Sequence, residues 1–198
     1  MTLDDVLTRV QGAIDLIRGK EGAGWRRLDL SADGFCNSFL ALPVCIPAFA
    51  VVWAAHARWL AAAGSDASLG QTLTALAAIE VVSWVATLAL FVPLASLLDW
   101  RGRVVPAVIA ANWGAVLFAY VYAVPAVLTL LIGPEPGVAF VSLVISLGVL
   151  VAYWRLLAAA LERPAPAVAA TFMATVALSY FIAEGGQSMM GLLPERAA

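Results

Sequence analysis

Glu80 is the residue of this chain best placed to do chemistry, because it stands inside a long apolar run. It lies about seven residues, or roughly 10 Å of helix rise, inside the outer end of the span expected to start near Leu73. An ionisable side chain at such depth in hydrocarbon is costly unless it is paired or faces water. Ser83 and Thr87 follow at i+3 and i+7, which draws a polar stripe on one helical face. The run, Leu69 to Leu98, is joined to a second, Val104 to Ile132, by the polar turn Asp99-Trp100-Arg101-Gly102-Arg103. Folded back at Trp100 as a hairpin, the runs bring Glu80 level with Tyr120 and Tyr122, and Thr87 level with Asn112.

Two readings of this set stay open. In one, Glu80 is a neutral carboxyl bonded to a tyrosine across a helix interface, a structural role. In the other, Glu80 joins His56 and Arg58, which close the first apolar run, and Glu184, which closes the last. Together they would line an outward-facing vestibule for a proton, a cation or a small polar solute. His56 and Arg58 equally suit plain snorkelling caps. Other chemistry is sparse. There is no His-Glu-x-x-His, no Gly-x-Ser-x-Gly, no phosphate-cradling glycine loop and no acidic cluster for Mg²⁺. One histidine excludes bis-histidine haem ligation within the chain. Ser179 and His56 form the one nucleophile and base combination, linked by composition alone. Cys36 and Cys45 share no metal-ligand spacing and read as small apolar residues. No catalytic residue, metal or cofactor is expected.

The elements that hold these residues follow from composition. The chain is 63% hydrophobic and 12% charged, with a mean hydropathy of +0.95, outside the range of a water-soluble domain. A net charge of −2 and the lack of a Lys/Arg block argue against nucleic acid as a partner. The expectation is an all-α integral membrane protein with five transmembrane helices, near 39–60, 73–98, 104–132, 138–157 and 167–183. Residues 1–33 form a cytoplasmic lead-in, 34–184 the bundle, and 185–198 a short external tail. The lead-in contains an amphipathic surface helix over 3–17, with Thr2-Leu3-Asp4-Asp5 as a capping box and Gly19 as its stop. Asp4, Asp5, Arg9 and Asp15 interrupt what would be a signal-peptide core, so this segment is expected to stay on the protein. Residues 21–27 read as a Gly-containing linker. Pro43 and Pro47 predict a kinked or locally unwound start to the first span. Pro93 and Pro125 are further kink sites.

Nine cations (Arg9, Arg18, Lys20, Arg26, Arg27, Arg101, Arg103, Arg155 and Arg163) fall on one side of this topology and two, Arg58 and Arg196, on the other. The positive-inside rule then places the N-terminus in the cytoplasm and the C-terminus outside. Small-residue faces (Ala110 with Gly114; Ser142, Ser146 and Gly148; Thr171, Thr175 and Ser179) permit close helix packing, within the chain or between copies.

Five spans, the amphipathic lead-in and Asp29-Leu30-Ser31-Ala32-Asp33-Gly34-Phe35 before the first span resemble the Yip-type five-span membrane protein family. Eukaryotic members carry Asp-Leu-Tyr-Gly-Pro at a comparable place. Asp29 and Leu30 match it, whereas the Tyr and the adjacent Gly-Pro do not. The resemblance implies a helical bundle with membrane-organising or trafficking partners, and carries over no binding residue. The chain also resembles bacterial five-span membrane proteins with a similar lead-in and an Asn-Trp in the third span, here Asn112-Trp113. The leading expectation is a non-enzymatic accessory or organising subunit of a membrane assembly, in a bacterial cytoplasmic (inner) membrane, partnered by lipid and by other membrane proteins or further copies of itself. A small channel or transporter with Glu80 in its pathway is the alternative, and a membrane-embedded enzyme comes third.

Overall fold

The computed structural model describes residues 2–193, which are helical throughout apart from short turns. Helix α1 (Leu3–Ile17) opens on the capping box: the Thr2 hydroxyl accepts from the Asp5 N–H and the Asp5 carboxylate accepts from the Thr2 N–H at 2.7 Å. The bond from the Thr2 backbone, then that from its side chain, holds the Asp5 carboxyl below its ordinary pKa. The chain reverses at Gly19, whose φ of 78° favours glycine.

Residues 21–27, expected as a linker, instead form helix α2 (Glu21–Arg27). Tertiary packing overrides the poor helix propensity of glycine here. A Cβ on Gly24 would sit 2.7 Å from Leu16 Cδ2, and one on Gly12 would sit 2.9 Å from Leu28 Cγ, so the two helices cross at their glycines. Asp15, 5% exposed, accepts from Arg27 Nε at 3.1 Å and from Gln11, which fastens the crossing. Asp29 accepts from the Ser31 N–H and pairs with Arg9 at 3.5 Å; hydrogen bonding by Ser31, then Arg9, keeps its carboxyl below the usual range.

Helix α3 (Ala32–Ser38) and helix α4 (Ala41–Ala62) are separated by a break at Phe39–Leu40. Pro43 explains it, since its ring displaces the carbonyl four residues earlier, that of Phe39. The remaining helices are α5 (Leu69–Leu97), α6 (Val104–Ile132), α7 (Pro136–Leu161) and α8 (Ala165–Met189). Helices α5 and α6 have 29 residues each, about 44 Å of rise. Five stretches, 32–62, 69–97, 101–132, 136–161 and 165–189, are long and apolar enough to cross a membrane. Helix α8 runs past Ala183, where the sequence reading ends it, because Gly186 packs directly on Ile79 of α5. Arg196 lies outside the described residues.

The arrangement departs from a hairpin. Helix α6 packs chiefly between α4 and α7, while α5 packs chiefly on α8 and touches α6 less; contacts of α7 with α8 and of α4 with α5 complete a ring. Small residues on α6 make this possible. A Cβ on Gly114 would collide with Leu156 of α7, a side chain itself fully buried. Helices α1 and α3 also pack on α6, and α1 on α7, closing one end of the bundle. Trp100, expected in a polar turn, is fully buried there, edge-on to Phe91 with ring centroids 5.7 Å apart. Arg103 donates to the Ala160 carbonyl at 2.9 Å and to Glu162 at 2.6 Å, with its guanidinium 5.5 Å from the Trp25 ring. One cation thus joins α2, the start of α6 and the end of α7.

Gly114→Val should overpack the α6–α7 contact and cost about 1–3 kcal/mol. Gly148→Ala, where a Cβ meets nothing within 4 Å, should be neutral or stabilising by up to about 1 kcal/mol. Unfolding midpoints of the two variants in one detergent check the pair; equal midpoints would remove Gly114 as a packing determinant.

Candidate functional site

Helices α5, α6, α7 and α8 line a partly open cavity of about 450 Å³. Helix α5 contributes Glu80, Ser83, Trp84 and Thr87, the stripe seen in the sequence with Trp84 added at i+4 of Glu80. Helix α6 contributes Asn112, Phe118 and Tyr122, α7 contributes Tyr153, and α8 contributes Thr175 and Ser179. Toward the closed end, each of the four helices passes from lining residues to core: Phe91 on α5, Ala107 to Ala110 on α6, Leu156, Leu157 and Ala159 to Leu161 on α7 and Val168 on α8 are all buried. The cavity is therefore floored by packed side chains.

Its walls are mostly self-satisfied. Trp84 Nε1 donates to Asn112 Oδ1 at 3.2 Å, and Asn112 Nδ2 donates to Ser38 Oγ at 2.9 Å. Ser38 in turn donates to the Phe35 carbonyl at 2.7 Å, so one network joins α3, α5 and α6 at the proline break. Tyr153 donates to Thr175 at 3.0 Å, and Thr87 shares a hydrogen bond with Ser179 at 3.2 Å across the α5–α8 contact. Ser83 and Tyr122 make no side-chain hydrogen bond among the described residues, and Glu80 is the one charged exception. It is part-buried on the cavity wall, and no hydrogen bond or ion pair to it is found among the described residues.

A second cavity, about 390 Å³, lies toward the other end between α4, α6 and α7, bordered by His56, Trp59, Glu135 and Ser142. Tyr122 borders both cavities. The spaces thus adjoin along α6, away from the closed end.

No family model, curated protein or solved structure matches this chain. Its chemistry has to be read from the placement of its own residues. Several expected pairings are replaced. Tyr120 faces α4, donating to the Val44 carbonyl at 3.3 Å, and leaves Glu80 without the expected tyrosine bond. Asn112 bonds Trp84 in place of Thr87 because α5 and α6 diverge from the turn. His56 bonds Gln187 at 2.9 Å, Arg58 donates to the Leu130 carbonyl at 2.5 Å, and Glu184 is exposed and lines neither cavity. Glu80, Asn112 and His56 therefore belong to the cavity system, whereas Arg58 and Glu184 do not. Ser179 and His56 make separate bonds with different partners. Both cysteines are free, Cys36 exposed and Cys45 buried.

Ser38, Trp84, Tyr153 and Gln187 escaped the sequence reading. Trp84 was detectable as the aromatic on the Glu80 face, and Gln187 as an amide in the last turns of a longer α8. Ser38 and Tyr153 are recognisable only through the helices they meet. Asn112→Leu leaves the Trp84 N–H without its acceptor and should cost about 1–3 kcal/mol. Loss of unfolding midpoint checks this, and an unchanged midpoint would show that the network does not hold the three helices.

Proposed function

We propose that this is a multi-pass integral membrane protein that admits a small solute or proton from one face of the membrane to a site at Glu80. The observation that carries the reading is a carboxyl without a protein partner on the wall of a cavity whose other polar groups largely bond one another. The packed floor beneath it supports an arrangement accessible from one side in this conformation. Five helices of sufficient length and apolarity support insertion. The charge pattern supports the orientation: Arg9, Arg27, Arg103, Arg155 and Arg163 gather at the closed end, in ion pairs or beside Gly19, which favours that end as the cytoplasmic one in a bacterial inner membrane.

In reconstituted vesicles, Glu80→Gln should lower a pH-driven proton flux, or the flux of a small polar solute, by about tenfold or more, since the substitution keeps the shape and removes the charge. If every measured flux is unchanged by Glu80→Gln, the reading fails.

The second reading is an accessory or organising subunit, of the kind the Yip-type resemblance implies. Exposed Leu3, Leu7 and Leu30 on the N-terminal lobe favour it. Deleting α1 is a poor test, because Ala13 and Leu16 belong to the main core. Leu3→Ser with Leu7→Ser spares that core. In the subunit reading, the double variant should lose a stoichiometric partner that wild type retains after mild-detergent extraction, as read by mass spectrometry. Identical co-purifying protein from both would exclude this surface as the docking element.

A further inference from the structure

Resting on the solute-site reading, we infer that the cavity at Glu80 is built for an organic monocation, an amine or quaternary ammonium with an apolar body.

The charge inventory decides the sign. Among the described residues Glu80 is the only formally charged side chain on the cavity wall, and no Lys, Arg or His lines it. An anionic ligand would face the carboxylate and find most N–H and O–H donors already committed: the Trp84 indole to Asn112, the Asn112 amide to Ser38, the Tyr153 hydroxyl to Thr175. A cation meets the opposite situation. The carboxylate accepts without displacing any internal bond, and the rings of Trp84, Phe118, Tyr122 and Tyr153 border the same space. Aromatic faces attract cations, most of all when water is excluded.

The composition of the wall decides the body of the ligand. Ca²⁺ and Mg²⁺ demand six or more oxygen ligands and Zn²⁺ three or four from His, Cys or carboxylates, and no cluster of three His, Cys, Asp or Glu able to hold a metal occurs among the described residues. The rest of the wall is aliphatic, including Leu88, Leu150 and Val176, which pays little for a bare ion and favours alkyl groups. A volume of about 450 Å³ lies within the range of small-molecule sites.

The test is calorimetric titration of the full chain in phosphatidylcholine nanodiscs, with empty discs as the blank. Three probes share one size: benzyltrimethylammonium, its uncharged carbon analogue neopentylbenzene, and the anion phenylmethanesulfonate. The expected result is one-to-one binding of the cation, at least about tenfold tighter than either other probe, with that preference abolished in Glu80→Gln and kept in Glu184→Gln. Ser83→Lys, which puts an ammonium one turn from Glu80, should block the cation with Glu80 still in place, so the idea stays testable if Glu80→Gln does not fold. Equal binding of cation and carbon analogue, or a cation preference that survives Glu80→Gln, overturns the ligand class while leaving a solute cavity. Binding of none of the probes also overturns it, and the solute-site reading then stands or falls on the flux experiment alone.

Discussion

The close approach of α7 to α6 at Gly114 is the constraint from which the rest of the bundle follows. Helix α6 is flanked on both sides, by α4 and by α7, and only a small side chain at Gly114 leaves room for Leu156. With both of its neighbours taken, α6 cannot also embrace α5 along its length. Helix α5 is left to pair with α8, which it does at Ile79 against Gly186 and through Thr87 with Ser179. The gap between diverging α5 and α6 is bridged by one side-chain hydrogen bond, Trp84 to Asn112. A cavity inside the ring is the geometric consequence.

That cavity also reflects an uneven distribution of bulk. The closed end is filled by Trp100, Phe91, Leu156, Leu157 and Leu161, and braced by the N-terminal lobe through α1 and the Arg103 contacts. At mid-bundle the facing positions are instead Ser83, Thr87, Ala111, Ala115 and Ser179, too small to meet across the ring. Close packing in one half and polar, small residues in the other make a bundle that is rigid where the lobe docks and spacious where Glu80 sits.

How much of this was legible depended on range. The capping box at Thr2 and Asp5, the turn at Gly19, the existence of five long apolar helices and the disruption near Pro43 are local, and each is written in adjacent residues. The face shared by Glu80, Ser83 and Thr87 is local as well, and the structure keeps it together on one wall. Helix α2 was missed because two glycines read as flexibility when they serve a crossing with α1. Helix adjacency was missed because apolar runs of similar composition do not encode which neighbour each prefers. The assumption that consecutive helices pair then misdirected Tyr120 toward Glu80 and Thr87 toward Asn112. Depth was right to within about one helical turn, since Trp84 stands one turn from Thr87.

The remaining question is why a carboxyl stands where a leucine would pack. Insertion scales set an acidic residue at the middle of a spanning helix at about 3 kcal/mol. Many polar side chains of this bundle avoid such a cost by bonding backbone carbonyls of their own helix, as Thr129, Ser142 and Thr171 do, or one another, as Ser38, Asn112 and Trp84 do, although the buried indole N–H groups of Trp25 and Trp100 go without a partner. Asp15 is likewise buried only together with Arg27 and Gln11. Ser83, one turn from Glu80 on the same wall, could serve as a partner, yet Glu80 makes no hydrogen bond to it. A group that stability alone would remove or partner, placed at the open side of a packed floor, is what the proposed solute site would require.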